Sequence, residues 1–154
     1  AILAASVISL FQATIEKVVA LAVLMPIVAS MGGIAGTQSL TVLIRAMAMG
    51  QINDRTEIWL VRREILVSAL NGLIWAFVMA LVTTYWFDDS TLGLIIAFAI
   101  IVNLLTAGIA GASLPLLLER LKIDPALAGG VILTTVTDVV GFWAFLGLAA
   151  YFYG

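Results

Sequence analysis

STLGLIIAFAIIVNLLTAGIAGASLPLLL, residues 90–118, contains no charged side chain. An α-helix needs roughly 20 apolar residues in succession to cross the hydrocarbon core of a bilayer, and this stretch exceeds that length. Apolar residues make up 64% of the 154 positions and charged residues only 10%, whereas soluble domains are about half apolar and a quarter charged. The chain is therefore predicted to be an integral membrane protein.

Three more segments are long and apolar enough to cross a bilayer as helices. They lie at about residues 18–49, 64–87 and 125–153. Residues 1–15 are also apolar and are interpreted as the end of a truncated first helix. The predicted fold is all-α, a polytopic transmembrane bundle of four full membrane helices plus the C-terminal stub of a first one. Residues 1–154 then form one transmembrane pore domain, and cytoplasmic regulatory domains are expected to lie outside this chain.

Basic residues are distributed unevenly between the predicted loops. Six flank the loops that follow segments 18–49 and 90–118, and one lies on the opposite side: Arg45, Arg55, Arg62, Arg63, Arg120 and Lys122 against Lys17. Loops rich in Lys and Arg stay in the cytoplasm. We therefore expect both of those loops to be cytoplasmic and the C-terminus to face outwards.

The last segment carries a single charge, Asp138, about midway along its length. A carboxylate at that depth costs roughly 2.5–3.5 kcal/mol to insert, and such groups face the bundle interior or water. Gly130, Thr134, Asp138 and Gly141 are spaced to form one small, polar stripe along a helix. Because the chain has no cysteine and no histidine, oxygen ligands suited to Mg²⁺ or Ca²⁺ are expected. Asp138 is the predicted metal ligand, with Thr134 and Gly130 beside it and Gly141 lining a pore.

Segment 18–49 contains a second motif of small residues, GGIAGT at 32–37, downstream of Pro26. Two of its glycines, Gly32 and Gly36, lie on one helix face and would let another helix approach closely. Proline and glycine also loosen the helical hydrogen-bond ladder, and a freed carbonyl at membrane depth must face protein or water. Gly32, Gly33, Gly36 and Thr37 are therefore predicted to line a pore, with helix packing as the alternative for the glycines.

Two other polar positions receive structural predictions. Asn103 is expected to form an interhelical hydrogen bond rather than to bind an ion. Glu64 and Arg63 are expected to form a solvated interfacial pair at the start of the third long helix.

Several interpretations of Asp138 stay open. In a symmetric pair of chains, two such carboxylates would match the charge of one divalent cation. A structural aspartate bonded to a neighbouring carbonyl is an alternative. Proton relay generally needs several titratable groups, and aspartyl proteolysis needs a carboxylate dyad, of which one chain supplies half.

A set of motifs follows in order along nearly the whole chain. They are Pro26, GGIAGTQSLT at 32–41 with Arg45-Ala46, LPLLL at 114–118, IDPA at 123–126 and TTVTD at 134–138. Together they resemble the MgtE family of magnesium channels. The resemblance implies a homodimer in the bacterial inner membrane, with five helices per subunit and the second and fifth lining a pore at the dimer axis. It also implies that Asp138 binds hydrated Mg²⁺. The chain departs from the family at Ile34, where Asn is usual, and at Gln12, where an acid is common.

The predicted function is passage of Mg²⁺, or of other divalent cations, through a pore at a homodimer axis. Mg²⁺ is thus expected as both the transported and the bound ion, and no enzymatic activity is expected. The expected partners are a second copy, the lipid bilayer and the cytoplasmic regulatory domains of the full-length protein, without nucleic acid. One alternative is an ion-coupled Mg²⁺ exchanger of the same fold, and another is a non-transporting membrane assembly subunit with a structural aspartate.

Overall fold

The computed structural model describes residues 1–51 and 53–153, which contain six α-helices and no β-strand. The helices are α1 (Ile2–Leu10), α2 (Gln12–Lys17), α3 (Ala20–Ala48), α4 (Asp54–Phe87), α5 (Ser90–Arg120) and α6 (Pro125–Tyr153). The last four are each long and apolar enough to cross a membrane. The predicted all-helical membrane fold is confirmed.

Local sequence signals account for several helix ends. The Asp89 carboxylate accepts hydrogen bonds from the backbone N–H groups of Thr91 and Leu92, and so caps α5. Pro125 occupies the first position of α6, where its missing N–H removes no helical bond. Gly50 follows α3 with φ of 68°, a left-handed conformation that glycine adopts without steric cost.

Helix α4 begins about ten residues earlier than residue 64, where the sequence prediction placed its start. The Asn53 side chain accepts hydrogen bonds from the N–H groups of Arg55 and Thr56, and the Thr56 hydroxyl accepts one from the Asn53 N–H. This capping box stabilises a polar first turn. Hydropathy locates the apolar part of a helix, so it missed this extension.

The expected surface pair of Glu64 and Arg63 is wrong. Glu64 is buried, with 8% of its surface exposed, and its Oε2 accepts a hydrogen bond of 2.9 Å from the Ser39 hydroxyl on α3. The Arg63 guanidinium instead lies over the Trp59 ring, 5.5 Å from its centroid. Adjacent residues on a helix point about 100° apart, so Glu64 can face the bundle while Arg63 faces outwards.

The N-terminal residues form two short helices rather than one continuous piece. The break falls at Phe11, with φ of −110° and ψ of 19°. Both α1 and α2 pack against α6, and the Phe11 ring meets Trp143 edge-on with centroids 5.9 Å apart. The apolar N-terminal residues therefore cover part of the α6 surface.

Helix α5 is at the centre of the bundle. It packs against α3, α4 and α6, whereas α3 and α4 meet over a short stretch that includes Ser39 and Glu64. The core between α3, α5 and α6 is formed by fully buried aliphatic and aromatic side chains, including Leu24, Val28, Ile96, Ile100, Phe145 and Leu146. Helix α4 lies on the other side of α5 and exposes a row of large apolar residues that suits lipid contact: Leu66, Leu70, Leu73, Phe77 and Leu81.

Candidate ion-binding groove between helices α3 and α6

An open groove of about 640 Å³ runs between α3 and α6. Its polar and small lining residues come from both helices: Ser30, Gly33, Thr37 and Gln38 from α3, and Thr134 and Asp138 from α6. The groove thus brings together the two sequence motifs that are separated by about 100 residues along the chain. Neither motif alone forms this surface.

The Asp138 carboxylate is half-buried in the wall of this groove. Within the described ranges, it makes no hydrogen bond and no salt bridge to another residue of the chain. A structural aspartate would need such a partner, because an unpaired charge away from water is costly. The carboxylate oxygens are therefore free to accept hydrogen bonds from, or to coordinate, something that enters the groove.

Hydroxyl groups beside the carboxylate present oxygen lone pairs. The Thr37 hydroxyl donates its proton to the Gly33 carbonyl at 2.8 Å, one turn earlier on α3. Since a hydroxyl has one proton and two lone pairs, its oxygen can still accept a hydrogen bond from a water molecule in the groove. Thr134 lies one turn before Asp138 on α6 and lines the same groove.

Pro26 interrupts the hydrogen-bond ladder of α3 beside the groove. It lies inside the helix and lines the groove. Because proline has no N–H, the Ala22 carbonyl four residues earlier lacks its helical donor.

Five of the predicted pore-lining residues lie in the groove or on the exposed surface beside it. Gly33, Thr37, Thr134 and Asp138 line the groove. Gly130, one turn before Thr134, is exposed with no atom within 4 Å of where a side chain would start.

Gly32, Gly36 and Gly141 lie in the bundle interior instead. A Cβ atom at Gly36 would lie 2.9 Å from the Leu133 side chain of α6. A Cβ atom at Gly141 would lie 2.7 Å from the Asn103 amide nitrogen, and one at Gly32 would overlap the same amide. In this chain these three glycines permit close packing of α3, α5 and α6, which is the alternative stated for Gly32 and Gly36.

One polar groove residue, Ser30, was absent from the sequence prediction, which had counted Gln38 among the polar residues of a pore wall. Ser30 and Gln38 line the groove with Gly33 and Thr37. Ser30 lies three residues before Gly33, so helical periodicity from Gly33 could have found it. Ile34 also lines the groove and is 59% exposed, so the departure from the family's usual Asn falls on the groove wall.

Comparison with known proteins bears on this region directly. The sequence profile of the MgtE family, described as a divalent cation transporter, matches residues 25–148. That span includes the whole groove, from Pro26 on α3 to Asp138 on α6. The chain belongs to the MgtE family.

Curated MgtE proteins from three bacteria align with almost all of this chain. The magnesium transporter MgtE of Bacillus subtilis is 34% identical over 151 residues, which cover 98% of this chain and 34% of that protein. The magnesium transporters MgtE of Enterococcus faecalis and Thermus thermophilus are 30% and 33% identical, covering 96% and 94% of this chain. They are covered over 33% and 32% of their own lengths. The chain therefore spans about a third of the length of these relatives.

Proposed function

We propose that this chain forms the ion path of a Mg²⁺ transporter, with Asp138 as the residue that binds the hydrated ion. The observation that carries the proposal is an unpaired carboxylate in a groove whose other polar side chains, those of Ser30, Thr37, Gln38 and Thr134, all carry an oxygen that can accept a hydrogen bond. The MgtE relatives, each named a magnesium transporter, support Mg²⁺ as the cargo.

The ligand chemistry favours an ion that keeps its water. Mg²⁺ takes six oxygen ligands and gives up its waters reluctantly. The groove of one chain offers the Asp138 carboxylate and the hydroxyls of Ser30, Thr37 and Thr134. These acceptors suit the protons of bound waters, so charge attracts the ion while hydrogen bonds orient its shell.

A second copy of the chain completes the proposed path. The groove is open along one side, and an ion bound there by one carboxylate would retain a net positive charge at low dielectric. A two-fold axis along the open side would bring two copies of Asp138 to the same ion and neutralise it. In this proposal Gly130, Thr134 and Thr37 face the axis, because they lie on the open face.

The proposed orientation rests on the uneven distribution of the basic residues. The protein lies in a bacterial inner membrane, and the α3–α4 and α5–α6 loops, which carry the basic residues, face the cytoplasm. We also propose that the full-length protein carries cytoplasmic regulatory domains outside this chain, because the relatives are about three times as long.

Ion-coupled exchange is a second candidate, favoured by one observation. Glu64 is a second buried carboxylate in the bundle, bonded to Ser39 on the opposite side of α3 from the groove. A coupled carrier needs another titratable or ion-binding group besides the cargo site, and Glu64 is a titratable group in the bundle interior. The reversal potential of Mg²⁺ flux under imposed ion gradients distinguishes exchange from passive conduction.

The proposed ion site is tested by Asp138→Asn. Asn has nearly the same volume and accepts hydrogen bonds, so the bundle should fold, but the charge is lost. Mg²⁺ uptake into proteoliposomes should fall by about tenfold or more, the size of effect that groups around a metal site usually have. Thr134→Val should reduce uptake less, because a hydroxyl can only orient the waters of the ion.

Asp88→Asn is the matched control. Asp88 is exposed in the turn between α4 and α5, with φ of 51°, a conformation that Asn also tolerates. This variant loses the same charge away from the groove and should transport normally. Normal uptake by Asp138→Asn, with a melting temperature like that of the parent protein, would refute the assignment of the ion site.

A further inference from the structure

Asn103 lies in the middle of α5 and is the amide around which three helices pack. Only 1% of its surface is exposed. Its Nδ2 donates a hydrogen bond of 3.0 Å to the Val28 carbonyl on α3, which confirms the predicted interhelical role. Its Oδ1 has no hydrogen-bond partner within the described part of the chain.

Glycines on two other helices make room for this amide. A Cβ atom at Gly32 on α3 would overlap its Nδ2 and Cγ atoms, and a Cβ atom at Gly141 on α6 would lie 2.7 Å from Nδ2. Contacts below 3.0 Å are essentially never seen for real Cβ atoms. The amide of Asn103 therefore fills the space in which α3 and α6 carry no side chain.

The residues that Asn103 contacts lie directly behind the walls of the groove. Gly32 precedes the groove residue Gly33, and Gly141 lies three residues, or almost one helical turn, after Asp138. An aliphatic side chain would fill space without leaving Oδ1 unpaired. What the amide adds is a directional bond that holds the height and rotation of α3 relative to α5.

We propose that Asn103 is a positioning residue that sets the separation between the α3 wall and Asp138, and thereby the affinity of the groove for Mg²⁺. This inference rests on the proposed function. Shortening the side chain lets α3 and α6 shift towards the vacated space. Adding a methyl group at Gly141 pushes α6 away from α5. Both changes therefore alter the distance between Asp138 and the α3 oxygens from the one that the parent protein holds.

The test compares affinity with stability in the same proteins. Ligand that binds only the folded state raises the melting temperature in a concentration-dependent way. We would measure the rise in melting temperature as a function of Mg²⁺ concentration and subtract the rise that the Asp138→Asn variant still shows. The two measured quantities are the Mg²⁺ concentration that gives half of the remaining rise and the Mg²⁺ concentration that gives half-maximal uptake. Asn103→Ala and Gly141→Ala should each raise both concentrations by about tenfold, as outer-shell changes do at metal sites.

Two further variants separate positioning from simple loss of packing. Leu104→Ala makes a cavity at the next residue of α5, where the side chain faces Gly72 of α4. It should lower the melting temperature without moving either Mg²⁺ concentration. The double variant Asn103→Ala/Gly141→Ala places the new methyl group in the vacated space, so its affinity should lie closer to the parent value than that of either single variant.

Each outcome decides between the claims. If Asp138→Asn loses uptake while Asn103→Ala and Gly141→Ala keep the parent affinity, the positioning role is wrong and the ion site stands. If Asp138→Asn transports normally, the proposed ion site is wrong, and the positioning role that depends on it is wrong as well. Should Asn103→Ala not accumulate in membranes, Asn103→Ser, which keeps a donor on a shorter side chain, carries the same expectation.

Discussion

A close approach of α3 to α5 depends on Gly111, and substitution by alanine tests it. A Cβ atom at this position would lie 2.6 Å from the Gly36 carbonyl oxygen and 2.9 Å from the Ser39 Cβ atom. Both are parts of α3 that cannot rotate away. Ordinary contacts begin at 3.4 Å, so the two helices would have to separate by about 0.8 Å, or deform locally, to accept one methyl group.

The cost can be isolated with a second alanine. Forcing a methyl group into a packed contact costs about 1–3 kcal/mol, while replacing glycine by alanine in a helix gains up to about 1 kcal/mol. At Gly147 on α6, a Cβ atom would meet only the tip of the Phe11 ring, at 4.0 Å. Gly147→Ala therefore gains the same propensity without the clash, and the two variants should differ by about 1–3 kcal/mol.

The assay is thermal melting or reversible SDS unfolding of the two variants beside the parent protein. One kcal/mol shifts the melting temperature of a chain of this size by about 2–4 °C. Gly111→Ala should melt several degrees below Gly147→Ala. Equal melting temperatures would mean that α3 and α5 do not meet backbone to backbone at Gly36, and the position of α3 in the bundle would have to be revised.

Three further predictions concern the buried carboxylate, the dimer and the topology. Ser39→Ala removes the hydroxyl donor to Glu64 and should lower the unfolding free energy by about 1–3 kcal/mol, whereas Glu64→Gln keeps an acceptor and should cost less; equal losses would argue against the bond. A cysteine at Gly130, exposed on the open face, should cross-link two copies on oxidation, and full transport by a demonstrated monomer would exclude the shared axis. Single cysteines at Ser90 and Gln51 should label from opposite sides of the membrane, with Ser90 outside; labelling of both from one side would contradict the membrane crossings.

Hydropathy alone predicted the four long helices, because the need for roughly 20 apolar residues across a bilayer is a local property of the chain. The ends of α5 and α6 at Asp89 and Pro125 could also be predicted, since capping depends on neighbouring residues. The early start of α4 was missed even though its cap at Asn53 is local. The capping box is polar, and a search for apolar runs passes over it.

Contacts between distant residues could not be predicted in the same way. Glu64 is buried because Ser39, 25 residues away in sequence, lies opposite it on α3. The sequence around Glu64 is typical of a helix end at a membrane surface, so it favoured a solvated pair. Only the packing of α3, α4 and α5 decides that this carboxylate points inwards.

The small-residue motifs show most clearly which features follow from the sequence and which follow from tertiary packing. The sequence determined that α3 and α6 each carry a face of glycine and threonine, and that Asp138 lies on this face of α6. Residue types and helical periodicity determine which side chains share a face. It did not determine that Gly32 and Gly36 pack inside while Gly33 and Thr37 line the groove. Adjacent positions lie only about 100° apart, and small residues occupy both. The rotation of each helix is set by contacts with its neighbours, such as Asn103 between α3 and α6, so the tertiary structure alone decided which of these residues line the groove.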